Sequence, residues 1–295
     1  MTVLTIARLT IQEAARRRLL LALVVLTALV IAATGWGFSR ISTLSEPSGP
    51  AGADQLVQAK LSVLQVRLIA AQLLIVVMYM FSFVLTLSAV FAAAPAVSGE
   101  VESGIALAVL ARPLHRRDYL VGKWLGLAGL VAAYAALATG AELATVQAVI
   151  GYLPPEPAQL VLYLTAEGLV CLTLALALST RLSGMVGGVI ALVVYGIAWI
   201  GGVVGGLGAV FANDAITQIG TVSRIIMPTD LLWRGAVWSL EPAATRALAG
   251  SAGPAALATP FFAAAPPDPA WLLWAAAWVA GALTLAIWSF QHREI

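Results

Sequence analysis

Six predominantly apolar runs, each long enough to cross a bilayer, constrain this chain more than any other feature. They are Leu19–Phe38, Leu68–Ala94, Tyr119–Ile150, Ala158–Ser179, Gly184–Phe211 and Trp271–Phe290. At 1.5 Å per residue, about 20 residues span a hydrocarbon core of about 30 Å, and the longer runs cross it with tilt. Only 10% of the 295 residues are charged and mean hydropathy is +0.96. A soluble domain carries roughly 25% charged residues, and no soluble globule hides so much apolar surface. The expected fold is an all-α polytopic membrane protein with about six transmembrane helices, one membrane domain over residues 1–295 and no sizeable soluble domain. The first run exceeds the 7 to 15 residues of a signal peptide's apolar region, so it reads as an uncleaved span.

Arg16, Arg17 and Arg18 stand before that run as topology anchors. With both termini cytoplasmic, ten of the 16 Lys and Arg fall inside, which favours that orientation on the positive-inside rule. Residues 1–18 mix Val3, Leu4, Ile6, Leu9 and Ile11 with polar residues at a spacing that fits an amphipathic interfacial helix; a frayed start of the first span is the plain alternative. Residues 212–270 are expected to form an extracytoplasmic segment with short helices. Ile216, Ile219, Val222, Ile225 and Ile226 recur at helical spacing up to Pro228, and a second helix follows from Thr229 through Leu240. Trp233 and Trp238 in it suit a membrane interface.

Catalytic patterns are missing. Gly122-Lys123 is followed by Trp124 and lacks the upstream glycine of a phosphate-binding loop, so the chain is not expected to hydrolyse ATP alone. His115 and His292 lie in polar pieces, with no HExxH and no His/Cys cluster. Cys171 has no partner for a disulfide. No cofactor or metal is expected on this chain, and the charge balance gives no reason to expect nucleic acid.

The informative piece is the cytoplasmic loop expected at residues 95–118. It carries Glu100, Glu102 and Gly104, then an apolar stretch containing Leu110, then Arg112, Pro113, Arg116 and Arg117, with Tyr119, Gly122 and Lys123 opening the next span. This reads as a short helix over Ile105–Ala111, with acids at its start and Arg112 at its end, as a helix dipole favours, stopped by Pro113. An ordinary connecting loop is the competing reading. These residues resemble the permeases of ABC-2 type ATP-binding-cassette exporters, whose acid-x-acid-x-Gly stretch, leucine-bearing helix, Pro with a following basic residue and aromatic-x-x-Gly-Lys are matched by Glu100, Glu102, Gly104, Leu110, Pro113, Arg116, Tyr119, Gly122 and Lys123. Ile105 departs from the Thr the family often has there. The six-span layout, Met227-Pro228-Thr229-Asp230 and the short basic end at Gln291–Ile295 extend the similarity over nearly the whole chain.

The resemblance implies a type V exporter-like architecture and a coupling helix, with Glu100, Glu102, Gly104, Leu110, Pro113, Arg116 and Arg117 seated against a separate ATPase. It also implies two ATPase subunits holding ATP and Mg, a second permease copy or homologue, surrounding lipids, and residence in the plasma (inner) membrane of a prokaryote. Two further expectations concern the spans. Gly184/Gly188, Gly201/Gly205 and Gly202/Gly206 are each four apart, a spacing that lets helix backbones approach; contact with a second copy is expected there, with packing within one chain as the plain alternative. Glu167 lies near the middle of the fourth span, so it faces a translocation path or makes a buried hydrogen bond, whereas Glu142 falls about 35 Å along the third. A secondary transporter would show inverted repeats and interrupted helices, and an intramembrane hydrolase would place histidine in a span; neither signature is evident.

Overall fold

The computed structural model describes residues 3–15, 18–43, 53–105, 115–247, 253, 256 and 258–293; the side chains of 18–20, 41–43 and 53–64 lie outside this description. Its elements are α1 (Val3–Ala15), α2 (Arg18–Thr43), α3 (Ala53–Ala93), α4 (Pro95–Glu102), α5 (Arg116–Ile150), α6 (Pro157–Ser179), α7 (Gly184–Val210), α8 (Asp214–Ile226), α9 (Thr229–Leu240), α10 (Ala243–Ala247) and α11 (Pro269–Gln291). Among the described residues, six helices are long and apolar enough to cross a membrane, and they coincide with the six runs of the sequence.

Local chemistry sets the helix ends. Gly151 closes α5 with φ +69°, its N–H bonded to Gln147 O at 2.9 Å, a conformation glycine adopts without strain. Pro157 and Pro269 occupy first turns, where a missing N–H costs no helix bond. Asn213 caps α8 through the N–H groups of Ala215 and Ile216.

At the centre stands α6, packed on α3, α5, α7, α9 and α11, with Leu160, Leu164, Cys171, Leu172 and Leu176 fully buried. The first helix lies along the start of α5, where Gly122 and Gly126 make room: a Cβ on Gly126 would come 2.7 Å from Ala7 O. Leu4 and Leu9 on the other side of α1 are exposed. Because Tyr119 near the start of α5 stacks on Phe290 near the end of α11, both described chain ends share one end of the bundle.

The segment after α7 does not simply stand outside the bundle. Instead α8 doubles back along α7, and Ser223 Oγ donates to Ala198 O at 2.7 Å, a level 12 residues or about 18 Å before the end of α7. The chain turns at Met227-Pro228 and returns as α9, most of which is buried among α3, α6 and α7. Asp230 at this turn is buried and accepts from Arg224 at 2.9 Å and Arg234 at 3.3 Å. Trp233, expected at an interface, is buried instead, with its indole donating to Pro260 O at 2.7 Å and its ring 5.2 Å from Tyr79. A polar cap finishes the hairpin: Tyr152 donates to Leu240 O at 2.8 Å, and Glu241 accepts from Ala263 N–H at 3.0 Å. Burial pushes the Glu241 carboxyl up to about 7.

Glycine makes this doubling back feasible, and here the second-copy reading of the glycines gives way to packing within the chain. A Cβ on Gly201 would lie 2.7 Å from Ser223 Cβ, and one on Gly206 would lie 3.0 Å from Ala258 Cα. Gly202 faces Asp230 and Gly205 faces Gly220. Gly184 and Gly188 face Pro95 and Ala94 at 3.0 and 3.2 Å, seating α4 on α7. All six approach their own chain. Gly205→Val therefore places carbon onto the Gly220 backbone and should destabilise by about 1–3 kcal/mol, whereas Gly196→Ala, which meets nothing within 4 Å, should be near neutral. Thermal unfolding of the two detergent-solubilised variants checks this; equal melting would show that the α7–α8 contact is not tight.

Candidate functional site: an ionic latch at the shared end

The motif residues around the α4–α5 connection separate into an inward set and an outward set. Glu100, in the last turn of α4, accepts from both the Tyr119 hydroxyl and the Lys123 ammonium of α5. Lys123 is only 4% exposed and lies 5.4 Å over the Tyr119 ring. An ammonium this enclosed needs a countercharge, and Glu100 supplies it. Glu102, two positions on, points the other way and is exposed, since residues two apart on a helix do not share a face. Gly104, with φ +75°, breaks the helix immediately after.

Glu100 and Glu102 lie in the last turn of α4, where the dipole gives them no support and Lys123 does; beyond Ile105 the expected helix over Ile105–Ala111 lies outside the described residues. Leu110 and Pro113 lie outside the described residues.

Arg116 also turns inward: its Nη1 donates to Arg293 O at 2.6 Å and Gln291 O at 3.2 Å, closing the end of α11. Arg293 in turn donates to Thr180 O at 2.7 Å, and Arg181 donates to Ser289 Oγ at 2.9 Å. Arg117 is 65% exposed and pairs with Asp118 at 3.5 Å. The shared end is thus a network joining α4, α5, the α6–α7 turn and α11. On either side of the connection between α4 and α5, Glu102 and Arg117 are exposed.

Glu167 sits far from this network. Its carboxyl, 3% exposed, accepts from Ser82 Oγ of α3 at 2.6 Å and Tyr195 OH of α7 at 3.3 Å. The hydrogen-bonded reading describes it: both oxygens are engaged within the chain, joining three spans, and are not presented to a path.

The Glu100–Lys123 pair was not anticipated as a pair, although a lysine one turn into a span signals that a carboxylate must come to it. The closure of α11 by Arg116 had no comparable signal, because backbone carbonyls carry no sequence signature.

A buried pair of this kind makes a defined test. Lys123→Met should destabilise by about 3–5 kcal/mol, because it strands Glu100. The double variant Glu100→Gln/Lys123→Met should recover a substantial part of that loss in thermal unfolding. Additive losses would mean the two side chains are not coupled.

Residues 4–295 match the protein family described as ABC-2 family transporter protein. No curated protein matches the chain.

Proposed function

The chain belongs to the ABC-2 transporter family, and from that premise we propose that this multi-pass membrane permease is driven by a separate ATPase that docks at the shared end of the bundle. In this reading that end faces the cytoplasm of a prokaryote, in its plasma membrane, so both termini are cytoplasmic. The partner is a pair of ATP-binding-cassette subunits, which bind ATP and Mg; this chain binds neither. A second permease copy or homologue completes the complex, and substrate moves outward. Lipid surrounds the spans, with α1 lying near the membrane surface.

One observation carries the proposal: α4 and α5, the helices on either side of the motif connection, are pinned to each other by Glu100, Tyr119 and Lys123. A force applied to the loop is delivered to α4 and α5 together. It passes from α4 to α7, where Gly184 and Gly188 hold the contact, and from α5 to α11 through Arg116. The roles divide accordingly. Glu102 and Arg117, both exposed, contact the ATPase with Leu110 and Pro113, while Glu100, Gly104 and Arg116 position the loop.

The first experiment is copurification of a soluble ATPase with the tagged permease at moderate salt. Glu102→Lys combined with Arg117→Glu should leave the permease folded while reducing transport-coupled ATPase activity roughly tenfold, as loss of about 1.4 kcal/mol of docking would. Unchanged association, hydrolysis and transport would sink the docking assignment.

We assign Glu167 to the joint between α3, α6 and α7 through which such a movement passes, a positioning role. Glu167→Gln keeps the shape, one hydroxyl still donating to its carbonyl oxygen and the other turning to accept from its amide N–H, so transport should stay within about threefold of wild type, whereas Glu167→Leu should lose transport and thermal stability together. A Gln variant that folds normally but does not transport would instead make the charge itself functional.

A further inference from the structure

Two hollows lie end to end in the groove between α2, α3 and α5, and a third adjoins them beside α1 and α4. The largest, about 310 Å³, is lined almost entirely by apolar side chains and runs from Ala14 and Leu127 to Tyr134. Toward the shared end it adjoins, through Ala14, Ala92 and Leu127, a small recess with Glu13 and Lys123 in its wall. Toward the opposite end it shares Leu26 and Val84 with a recess of about 50 Å³ that Glu142 lines. Leu26 and Phe91 in the groove wall are exposed, so it opens sideways to whatever surrounds the spans.

Glu142 is the unusual member. It is 3% exposed, and its Oε1 has no hydrogen-bond partner among the described residues. The nearby hydroxyls of α2 are already engaged with their own helix. Thr34 shares its one proton between this carboxyl and Val30 O at 2.9 Å, and Thr27 is bonded to Leu23 O and to Tyr134. A buried acceptor left bare is costly, and a bare carboxylate among spans more so. What completes it must bring an N–H or O–H donor, and a positive charge completes it best. The small recess suits a compact head group, while the large hollow behind it suits carbon. Along α5, Glu142 and Leu127 are 15 residues apart, about 22 Å. That exceeds the roughly 15 Å half-thickness of a hydrocarbon core, so a tail of membrane-lipid length fits lengthwise.

We propose that the α2–α3–α5 groove binds an amphiphile carrying a primary ammonium group, the ammonium on Glu142 and the alkyl tail in the apolar hollow. The same chemistry is found in a free lipophilic amine and in the head group of an aminophospholipid. The site is distinct from the latch and does not rest on docking of an ATPase.

Native mass spectrometry of the full-length protein, released from detergent without any ATPase present, tests this with dodecylammonium as the probe. Wild type should take up one dodecylammonium per chain. Glu142→Gln should bind it at least tenfold more weakly, and wild type should bind dodecyltrimethylammonium, which has no N–H, and dodecanol, which has no charge, equally poorly. Leu130→Trp, which fills the hollow and leaves the carboxyl in place, should also reduce uptake, so the result does not hang on one variant folding. Addition of phosphatidylethanolamine separates the sources: displacement of the probe identifies a lipid head group, and undiminished binding identifies a free amine. Equal binding by wild type and Glu142→Gln overturns the proposal. So does an absence of uptake by wild type, the result expected if a helix of a second copy fills the groove. Neither failure bears on the coupling role of the latch, which is read in the ATPase assay alone.

Discussion

A bilayer offers no water to its protein, so every polar group placed within the spans must find its partner inside the structure, and the rest of this architecture follows from that demand. The α8–α9 hairpin illustrates it. A polar segment turned back along α7 is tolerable because Ser223 bonds the Ala198 carbonyl, Trp233 bonds the Pro260 carbonyl, and Asp230 is held by two arginines. Apolar surface gives no net drive for helices to associate within lipid, so close contact and hydrogen bonding must supply it. Gly201, Gly205 and Gly220 allow that contact by removing the side chains that would hold α7 and α8 apart.

Glu100, Glu167 and Glu142 show how differently the same demand is met. Glu100 is answered by the charge of Lys123 and the hydroxyl of Tyr119, an arrangement that fixes two helices relative to each other. Glu167 is answered by two neutral hydroxyls from two other spans, one on each oxygen, which binds α3, α6 and α7 into one unit. Glu142 has one oxygen that no described residue answers, and it alone of the three lines a hollow large enough to admit a foreign group. Where a carboxylate is completed from within, it holds structure together.

The shared end gains its mechanical character from the same bonds. Arg116 closes α11, Arg293 reaches the α6–α7 turn, and α4 rests on α7 through Gly184 and Gly188, so the two helices that flank the motif connection belong to one frame. A frame transmits displacement because its members cannot yield one at a time.

The number, order and limits of the spans were legible in the residues, since hydropathy over 20 residues is a local property that burial in lipid reads directly. The motif around Glu100 and Lys123 was legible as a place, but its internal arrangement was not. Residues two apart on a helix cannot both face one partner, and which of Glu100 and Glu102 turned inward depended on where α5 brought Lys123. The six glycines were legible as a close approach; their spacing names a helix face and says nothing of whether its neighbour belongs to the same chain. Likewise Glu167 was recognisable by its depth, while its two donors come from helices 85 residues before and 28 residues after it. The sequence by itself thus determined a six-span helical membrane protein, because spans are set by local composition and period. Only the tertiary structure decided which charges pair, which glycines meet and which carboxylate is left open, because each depends on groups that the chain brings together from far apart.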